Sequence, residues 1–220
     1  TGWINIDQDS LPNHPSSGTT EGAWFVDSLN NGGGDSSAIV AQSSSWLANF
    51  DPGNRNWLIT TAITISQSVA SLNWKSTPAQ VGVYMDGYSV LVSNSNTNMT
   101  SFTDTLAHFA QNINDDATQF SSGIMHTEYY PNPDSTTYGF QFGKLADWSV
   151  SLGAYNGQTI YIAFLHDSDD DVVIAIDDVT VTEGGVSIDE IGITRSLSVY
   201  PNPAMDVINI DFSSITRALN

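Results

Sequence analysis

Two adjacent carboxylates inside an apolar run, Asp177 and Asp178 in Val172-Val173-Ile174-Ala175-Ile176-Asp177-Asp178-Val179-Thr180-Val181, are the residues that most need a chemical explanation. Read as one strand, Ile174 and Ile176 share a face whereas Val179 and Val181 have the opposite parity, so the inward side switches across the Asp pair. A β-bulge there reconciles the two halves. Adjacent carboxylates at such a bulge are costly unless hydrogen-bond donors or a cation neutralise them. Residues 1–182 hold 19 acids against three bases, Arg55, Lys75 and Lys144, so a bound cation is the economical partner. Asp7 and Asp9, spaced i and i+2 where a strand enters a loop, place two more carboxylates on one side of the chain. Their spacing resembles the start of a calcium loop, although Ser10-Leu11 breaks the EF-hand pattern. The densest acidic run, Asp167-Ser168-Asp169-Asp170-Asp171, reads as an exposed hairpin loop that keeps the protein soluble, with a second cation site as the alternative.

The remaining groups offer less. A glycosidase needs one carboxyl raised in pKa by burial and another kept ionised across a cleft, and the acids here cluster on strand ends and loops. His126 with Glu128 and His166 with Asp167 could each be a base with its orienting carboxylate. Neither Gly-x-Ser-x-Gly nor His-Glu-x-x-His occurs, and ordinary surface or half-buried histidines are the simpler reading. Among the aromatics, Trp57, Trp74 and Trp148 fall in strand patterns and belong to a core. Trp46 and Tyr129-Tyr130-Pro131-Asn132-Pro133 lie in loop-like sequence, where a ring face could stack on a sugar. Trp46, Tyr129 and Tyr130 are therefore the candidate ligand-binding residues, with plain loop packing as the alternative. No catalytic set is expected.

These side chains sit in a chain of 220 residues with Lys+Arg 5, Asp+Glu 24, a net charge of −19 and no Cys. A polyanion of this strength repels phosphate backbones and acidic lipid surfaces, which argues against nucleic-acid and membrane-surface partners. The lack of Cys removes disulfide scaffolds, thiolate nucleophiles and iron–sulfur clusters, and four scattered His leave little for a transition metal. The metal this composition favours is calcium, because Asp, Asn, Ser and backbone carbonyls are hard oxygen ligands. No run of 18 apolar residues occurs, and Thr1-Gly2-Trp3 lacks a signal-peptide pattern, so a removed leader or a fragment is expected.

Short apolar or alternating runs separated by turn residues predict strands near Trp3–Ile6, Ala23–Val26, Ala38–Ser43, Trp57–Thr60, Ser71–Trp74, Ser89–Ser93, Trp148–Leu152, Thr159–Phe164 and Val172–Val181. One helix is predicted over Ser101–Asn112, with Phe102, Leu106 and Phe109 or Ala110 on one side, although Thr103 and Thr105 weaken it. Nine or more strands without alternating helices imply an all-β fold, a two-sheet antiparallel jelly-roll β-sandwich over residues 1–182. A polar linker over 183–196 and a short β tail over 197–220, too small to bury its own core, complete the chain.

The tail, Ser198-Val199-Tyr200-Pro201-Asn202-Pro203-Ala204 followed by Val207-Ile208-Asn209-Ile210, resembles the opening of the C-terminal sorting domain read by the type IX secretion system of Bacteroidetes. Full examples are several times longer, so the resemblance implies truncation or proteolysis. The body resembles the cleaved adhesin, or choice-of-anchor J, family found beside gingipain proteases. It does so through Gly2-Trp3-Ile4-Asn5-Ile6-Asp7-Gln8-Asp9, Asn56-Trp57-Leu58-Ile59-Thr60, Gly87-Tyr88-Ser89-Val90-Leu91-Val92-Ser93, and the segment from Trp148 through Tyr155-Asn156-Gly157 to Ile176-Asp177-Asp178-Val179. The resemblance implies a fold like that of jelly-roll carbohydrate-binding modules and MAM domains, with structural Ca²⁺. Because first and last strands are commonly neighbours in that fold, it also points to a Ca²⁺ bound by some subset of Asp7, Asp9, Asp177 and Asp178. The expected function is a secreted or surface-attached, calcium-stabilised, non-enzymatic module that binds an extracellular glycan or protein and reaches the type IX machinery through its tail. An accessory domain of a larger secreted enzyme, such as a peptidase, is the alternative.

Overall fold

A computed structural model of the chain describes residues 2–19, 23–29, 38–111, 123–130 and 141–184, together with the backbone of 198–200 and 209–211. The Pro131-Asn132-Pro133 turn, most of the 183–196 linker and the Pro201-Asn202-Pro203 motif lie outside the described residues. The chain divides into two compact units, Thr1–Glu183 and Gly184–Asn220. In the first unit the strands are β1 (Ile4–Asp7), β2 (Phe25–Ser28), β3 (Ile39–Ser44), β4 (Asn56–Ile59), β5 (Ile63–Thr64), β6 (Ser71–Pro78), β7 (Gln80–Val81), β8 (Tyr88–Ser93), β9 (Asp104–Phe109), β10 (Tyr129–Tyr130), β11 (Gln141–Gly143), β12 (Ala146–Ser151), β13 (Thr159–His166) and β14 (Val173–Thr182). In the second unit β15 (Ser198–Tyr200) pairs antiparallel with β16 (Asn209–Asp211).

Two large antiparallel sheets make the first unit. One runs β1-β4-β13-β8-β9, with β5 also on β13; the other runs β12-β6-β14-β3-β2. A small third sheet, β10-β11-β7, has its own ladder and follows β6 through Ala79, whose N–H donates to the Val173 carbonyl of β14. The main core lies between the two large sheets: Tyr88, Val90 and Val92 of β8 and Ile160, Ile162 and Phe164 of β13 meet Leu72 and Trp74 of β6 and Ile174 and Ile176 of β14. On the outer face of the first sheet, Leu91, Ala163 and Leu165 pack with Trp57, Ile59 and Phe102. With both faces covered, all six residues of β8 are buried, which explains why Tyr88–Ser93 is apolar without alternation. Among the described residues no helix is long and apolar enough to cross a membrane.

The all-β antiparallel expectation holds, and two of its details are corrected. The helix predicted over Ser101–Asn112 is a single 3₁₀ turn, Met99–Ser101, followed by strand β9. Thr103 and Thr105 disfavour helix, and in β9 Ala107 and Phe109 alternate into the core while the strand pairs with β8. The first and last strands of the domain are not neighbours. β1 is an edge strand beside β4, whereas β14 lies in the other sheet between β6 and β3.

One polar chain threads the core. Trp74 Nε1 donates to Tyr88 Oη (2.7 Å), Tyr88 Oη donates to Ser76 Oγ (2.7 Å), and Ser76 Oγ lies 3.0 Å from His126 Nε2. Burial pushes the Tyr88 phenol up and His126 down to about 3. Phe109, Trp148 and Tyr88 surround the His126 ring, so no charged group offsets the desolvation. A histidine held below its unfolded value contributes stability that is complete above pH ~6.5 and lost as pH falls towards the folded value. Stability should therefore drop by about 2–3 kcal/mol between pH ~6.5 and ~4.5 on account of His126. Denaturant titration at the two pH values should show that drop in the wild type and a flatter profile in His126→Gln, whose amide oxygen can accept from Ser76 without binding a proton.

Candidate functional site

The four acids from which the ligands of a cation are expected fall into two groups. Asp7 ends β1 and opposes Asn56 of β4, and its Oδ1 accepts from the Ser10 N–H (2.6 Å). Asp9 caps the following turn: Oδ1 accepts from the Leu11 N–H (2.8 Å) and Oδ2 from the Arg55 N–H (2.5 Å). Asp177 and Asp178 lie in the opposite sheet, at the place where the register of β14 against β6 shifts between Asp177 and Thr180. Asp178 has a φ of 50°, and the inward face changes from Ile174 and Ile176 to Val179 and Val181, as the parity of the sequence requires. Lys75 is the basic side chain that meets the pair. Its Nζ lies 2.8 Å from Asp178 Oδ2, both groups face solvent, and the hydrogen bond and charge of Asp178 raise the Lys75 pKa. Asp178 is exposed and Asp177 half-buried, so solvent and Lys75 offset much of the cost that the sequence assigns to the pair. The four carboxylates therefore do not converge, since their strands belong to different sheets.

A different set of polar groups gathers at one end of the sandwich, where the loops before β4, before β8 and between β13 and β14 meet. Its centre is Asp86, fully buried. Oδ1 accepts from Ser45 Oγ (2.6 Å) and lies 2.9 Å from His166 Nε2, while Oδ2 accepts from the Val172 N–H (3.0 Å). His166 Nδ1 lies 2.9 Å from Ser43 Oγ, Asn56 Nδ2 donates to the same hydroxyl (3.1 Å), and Asn54 Nδ2 donates to the His166 carbonyl (3.1 Å). The neighbour of His166 in this chemistry is Asp86 and not Asp167, and neither ring nor carboxylate reaches solvent, so the pair serves as structure. Ser168 clamps the strand that follows Asp86. Its Oγ accepts from the Gly87 N–H (2.6 Å) and donates to the Gly87 carbonyl (2.8 Å). Position 87 has to be glycine because a Cβ there would lie 2.2 Å from the Phe109 carbonyl oxygen.

The acidic run between β13 and β14 belongs to this cluster, which corrects its reading as a solvated loop. Ser168 and Asp171 are buried, and burial raises the Asp167 carboxyl above its ordinary range despite opposing contributions from His166, His108 and Arg55. Gly53 N–H donates to Asp169 Oδ1 (2.5 Å), and Asp171 N–H donates to Ser45 Oγ (3.2 Å). Asp86 gave no useful signal in sequence, being one acid before a glycine and an apolar strand. Its three donors come from distant segments.

Trp46 is half-buried at the same end, its ring stacked on His14 with centroids 4.5 Å apart and an interplanar angle of 4°. The Phe50 ring lies 5.5 Å from that of His14, tilted by 32°; Phe50 is 60% exposed and follows Asn49 in a turn where both residues have left-handed backbones, φ 61° and 58°. Tyr129 and Tyr130 form β10 in the small sheet; Tyr129 is exposed and Lys144 Nζ lies 5.9 Å from the Tyr130 ring centroid. Of the three aromatic candidates, Trp46 thus stacks on His14, and the two tyrosines belong to the small sheet. Phe50, the most exposed ring of the patch, escaped the sequence reading because nothing in Asn49-Phe50-Asp51 sets it apart from core phenylalanines.

No protein-family model matches this chain, and no curated protein sequence does. Among solved structures, the chain is similar to the K1 cleaved adhesin domain of Lys-gingipain from Porphyromonas gingivalis, at 18% identity over 83% of this chain and 91% of that one, with a TM-score of 0.55. It is similar also to the K2 cleaved adhesin domain of Lys-gingipain, at 22% identity over 82% of this chain and 89% of that one, with a TM-score of 0.50. At these identities the likeness is one of fold.

Removing the central acceptor should be costly. Asp86→Ala leaves His166, Ser45 and the Val172 N–H buried with no acceptor, and is expected to destabilise the domain by about 3–5 kcal/mol in denaturant titration. An effect below about 1 kcal/mol would mean that the cluster is hydrated and open.

Proposed function

We propose that the first unit is a secreted, non-catalytic recognition module of the adhesion type, whose ligand is a glycan or a protein surface outside the cell. The observation that carries this reading is the likeness of fold to the K1 cleaved adhesin domain, which extends over 91% of that domain. The aromatic patch of His14, Trp46 and Phe50 supports it, because exposed ring faces pack against the CH faces of sugars and against apolar side chains alike. Strong negative charge disfavours polyanionic ligands and leaves neutral and cationic surfaces. The same likeness favours an accessory role within a larger secreted protein, since K1 is itself a domain of Lys-gingipain. We assign export to the type IX route. The support is the Tyr200-Pro201-Asn202-Pro203 motif and the antiparallel pairing of Ser198–Tyr200 with Asn209–Asp211 on either side of it.

Two experiments test these assignments. On glycan and extracellular-protein arrays, the wild-type domain should bind a defined subset of spots, and Phe50→Ala and Trp46→Ala should weaken that binding by about tenfold or more, a loss of ~1.4 kcal/mol. Phe50→Ala should leave the melting temperature unchanged, because its ring is mostly in solvent. Full binding by both variants would rule the patch out as the recognition surface. For export, a reporter carrying the C-terminal region completed to a full sorting domain should leave a type IX-competent cell, whereas retention in the periplasm would overturn the assignment.

A further inference from the structure

A cavity of about 310 Å³ opens where β2, β3 and β14 lie side by side. Phe25 of β2 is opposite Gln42 of β3, and Gln42 is opposite Ala175 of β14, so the three side chains stand in one row across the sheet. Ile174 and Ile176, on either side of Ala175, turn to the main core, which puts this row on the outer face. The floor of the cavity is apolar and dry, made by Leu29, Val173 and Ala175. Its mouth is polar. Asp27 is exposed there, and Asp27 Oδ1 accepts from the Ser28 N–H (2.6 Å) while Gln42 Nε2 donates to the Ser28 carbonyl (3.1 Å). Asp27 Oδ2 and Gln42 Oε1 accept from nothing among the described residues. The third wall is the Ser17-Gly18-Thr19 turn, where Gly18 has a φ of 75°. That wall is held in place before any ligand arrives: the Ser17 N–H donates to the His14 carbonyl (2.9 Å), Ser17 Oγ lies 2.9 Å from Thr19 Oγ1, and Asn13 Nδ2 donates to Thr19 Oγ1 (2.7 Å).

We propose that this cavity binds one neutral hexose unit, with a CH face of the ring on the apolar floor and the Phe25 ring, and with hydroxyl groups donating to Asp27 Oδ2 and Gln42 Oε1. The lining selects the ligand by elimination. An anion would meet the Asp27 carboxylate and the −19 field of the chain. A wholly apolar ligand would take the carboxylate and the amide out of water with nothing to pair them. A basic side chain would find a single acid that is exposed and screened, and no second charge on the lining. A pyranose has both an apolar face and a ring of hydroxyl donors, and hydrogen bonds from hydroxyls to a carboxylate are charge-assisted. The volume lies at the small end of ligand sites, which suits one sugar ring and not a longer segment. The site is separate from the aromatic patch, since neither His14, Trp46 nor Phe50 lines it, and the assignment does not rest on what that patch binds.

The test uses the full chain and the methyl glycosides of glucose, galactose, mannose and N-acetylglucosamine as probes, followed by ligand-observed NMR and isothermal titration. At least one glycoside should bind with a Kd of about 1–10 mM, the affinity that a dozen or so ligand atoms at modest efficiency supply. Asp27→Ala, at an exposed position, should weaken that binding by about tenfold or more, and Gln42→Ala by several-fold, with melting curves showing that both variants are folded. Absence of binding by every glycoside at tens of millimolar, or unchanged binding in both variants, would overturn the proposal. So would glycoside binding that is lost in Phe50→Ala and kept in Asp27→Ala, which would place the sugar at the aromatic patch. Binding of a short oligolysine that depends on Asp27, with no response to any glycoside, would instead make the cavity a site for basic side chains. The arrays that test the aromatic patch are read separately, so failure of either reading leaves the other standing.

Discussion

Asp86 accepts hydrogen bonds from Ser45, His166 and the Val172 N–H, residues 41, 80 and 86 positions away along the chain. A buried carboxylate is tolerable only when its lone pairs are occupied, and here the occupants must come from three separate segments. That requirement fixes the end of β3, the end of β13 and the start of β14 against the loop that precedes β8. The loops are therefore positioned by polar satisfaction, and the strands behind them by apolar burial. The two devices meet at Gly87 and Tyr88: glycine lets the backbone pass under the Phe109 carbonyl, and the next residue enters the core.

The scarcity of basic side chains shapes where the charge can go. Lys75 settles the Asp177-Asp178 bulge at the surface, and Asp7 and Asp9 are used by backbone N–H groups of their own turn and of Arg55. Each of these acids has an inexpensive solution, either solvent or a local donor. Asp171 has neither, because the loop that carries it is pulled inward by Ser168 and by its own N–H on Ser45. Charge density along the sequence is thus a poor guide to which carboxylate lacks a partner. What matters is which carboxylate has been removed from water without donors, and the backbone decides that.

The aromatic patch and the polar cluster share a segment. Ser45 faces Asp86 while Trp46, the next residue, stacks on His14, so successive side chains of one extended stretch serve the interior and the surface.

Much of the architecture is legible in the sequence because period-two alternation and turn residues record which side of a strand is dry. All nine predicted strands exist, with ends displaced by a residue or two in most cases and by four at the C-terminal end of β6, and the parity switch at Asp177-Asp178 locates a register shift without reference to any partner strand. The Ser101–Asn112 segment misled because its apolar spacing suits a helical face, whereas pairing with β8 selects the extended form that Thr103 and Thr105 already favour. Sheet membership was beyond the sequence. Nothing in residues 4–7 or 173–182 states that β1 joins β4 and β14 joins β3 and β6, and so the four acids could be expected to meet when they lie on different sheets. The burial of Asp171 was equally hidden, since five polar residues in a row look solvated until distant partners, Gly53, Ser45 and the Gly87 backbone, draw that loop inward. Local pattern determines which residues are apolar and extended; only the tertiary fold decides which charges lose their water.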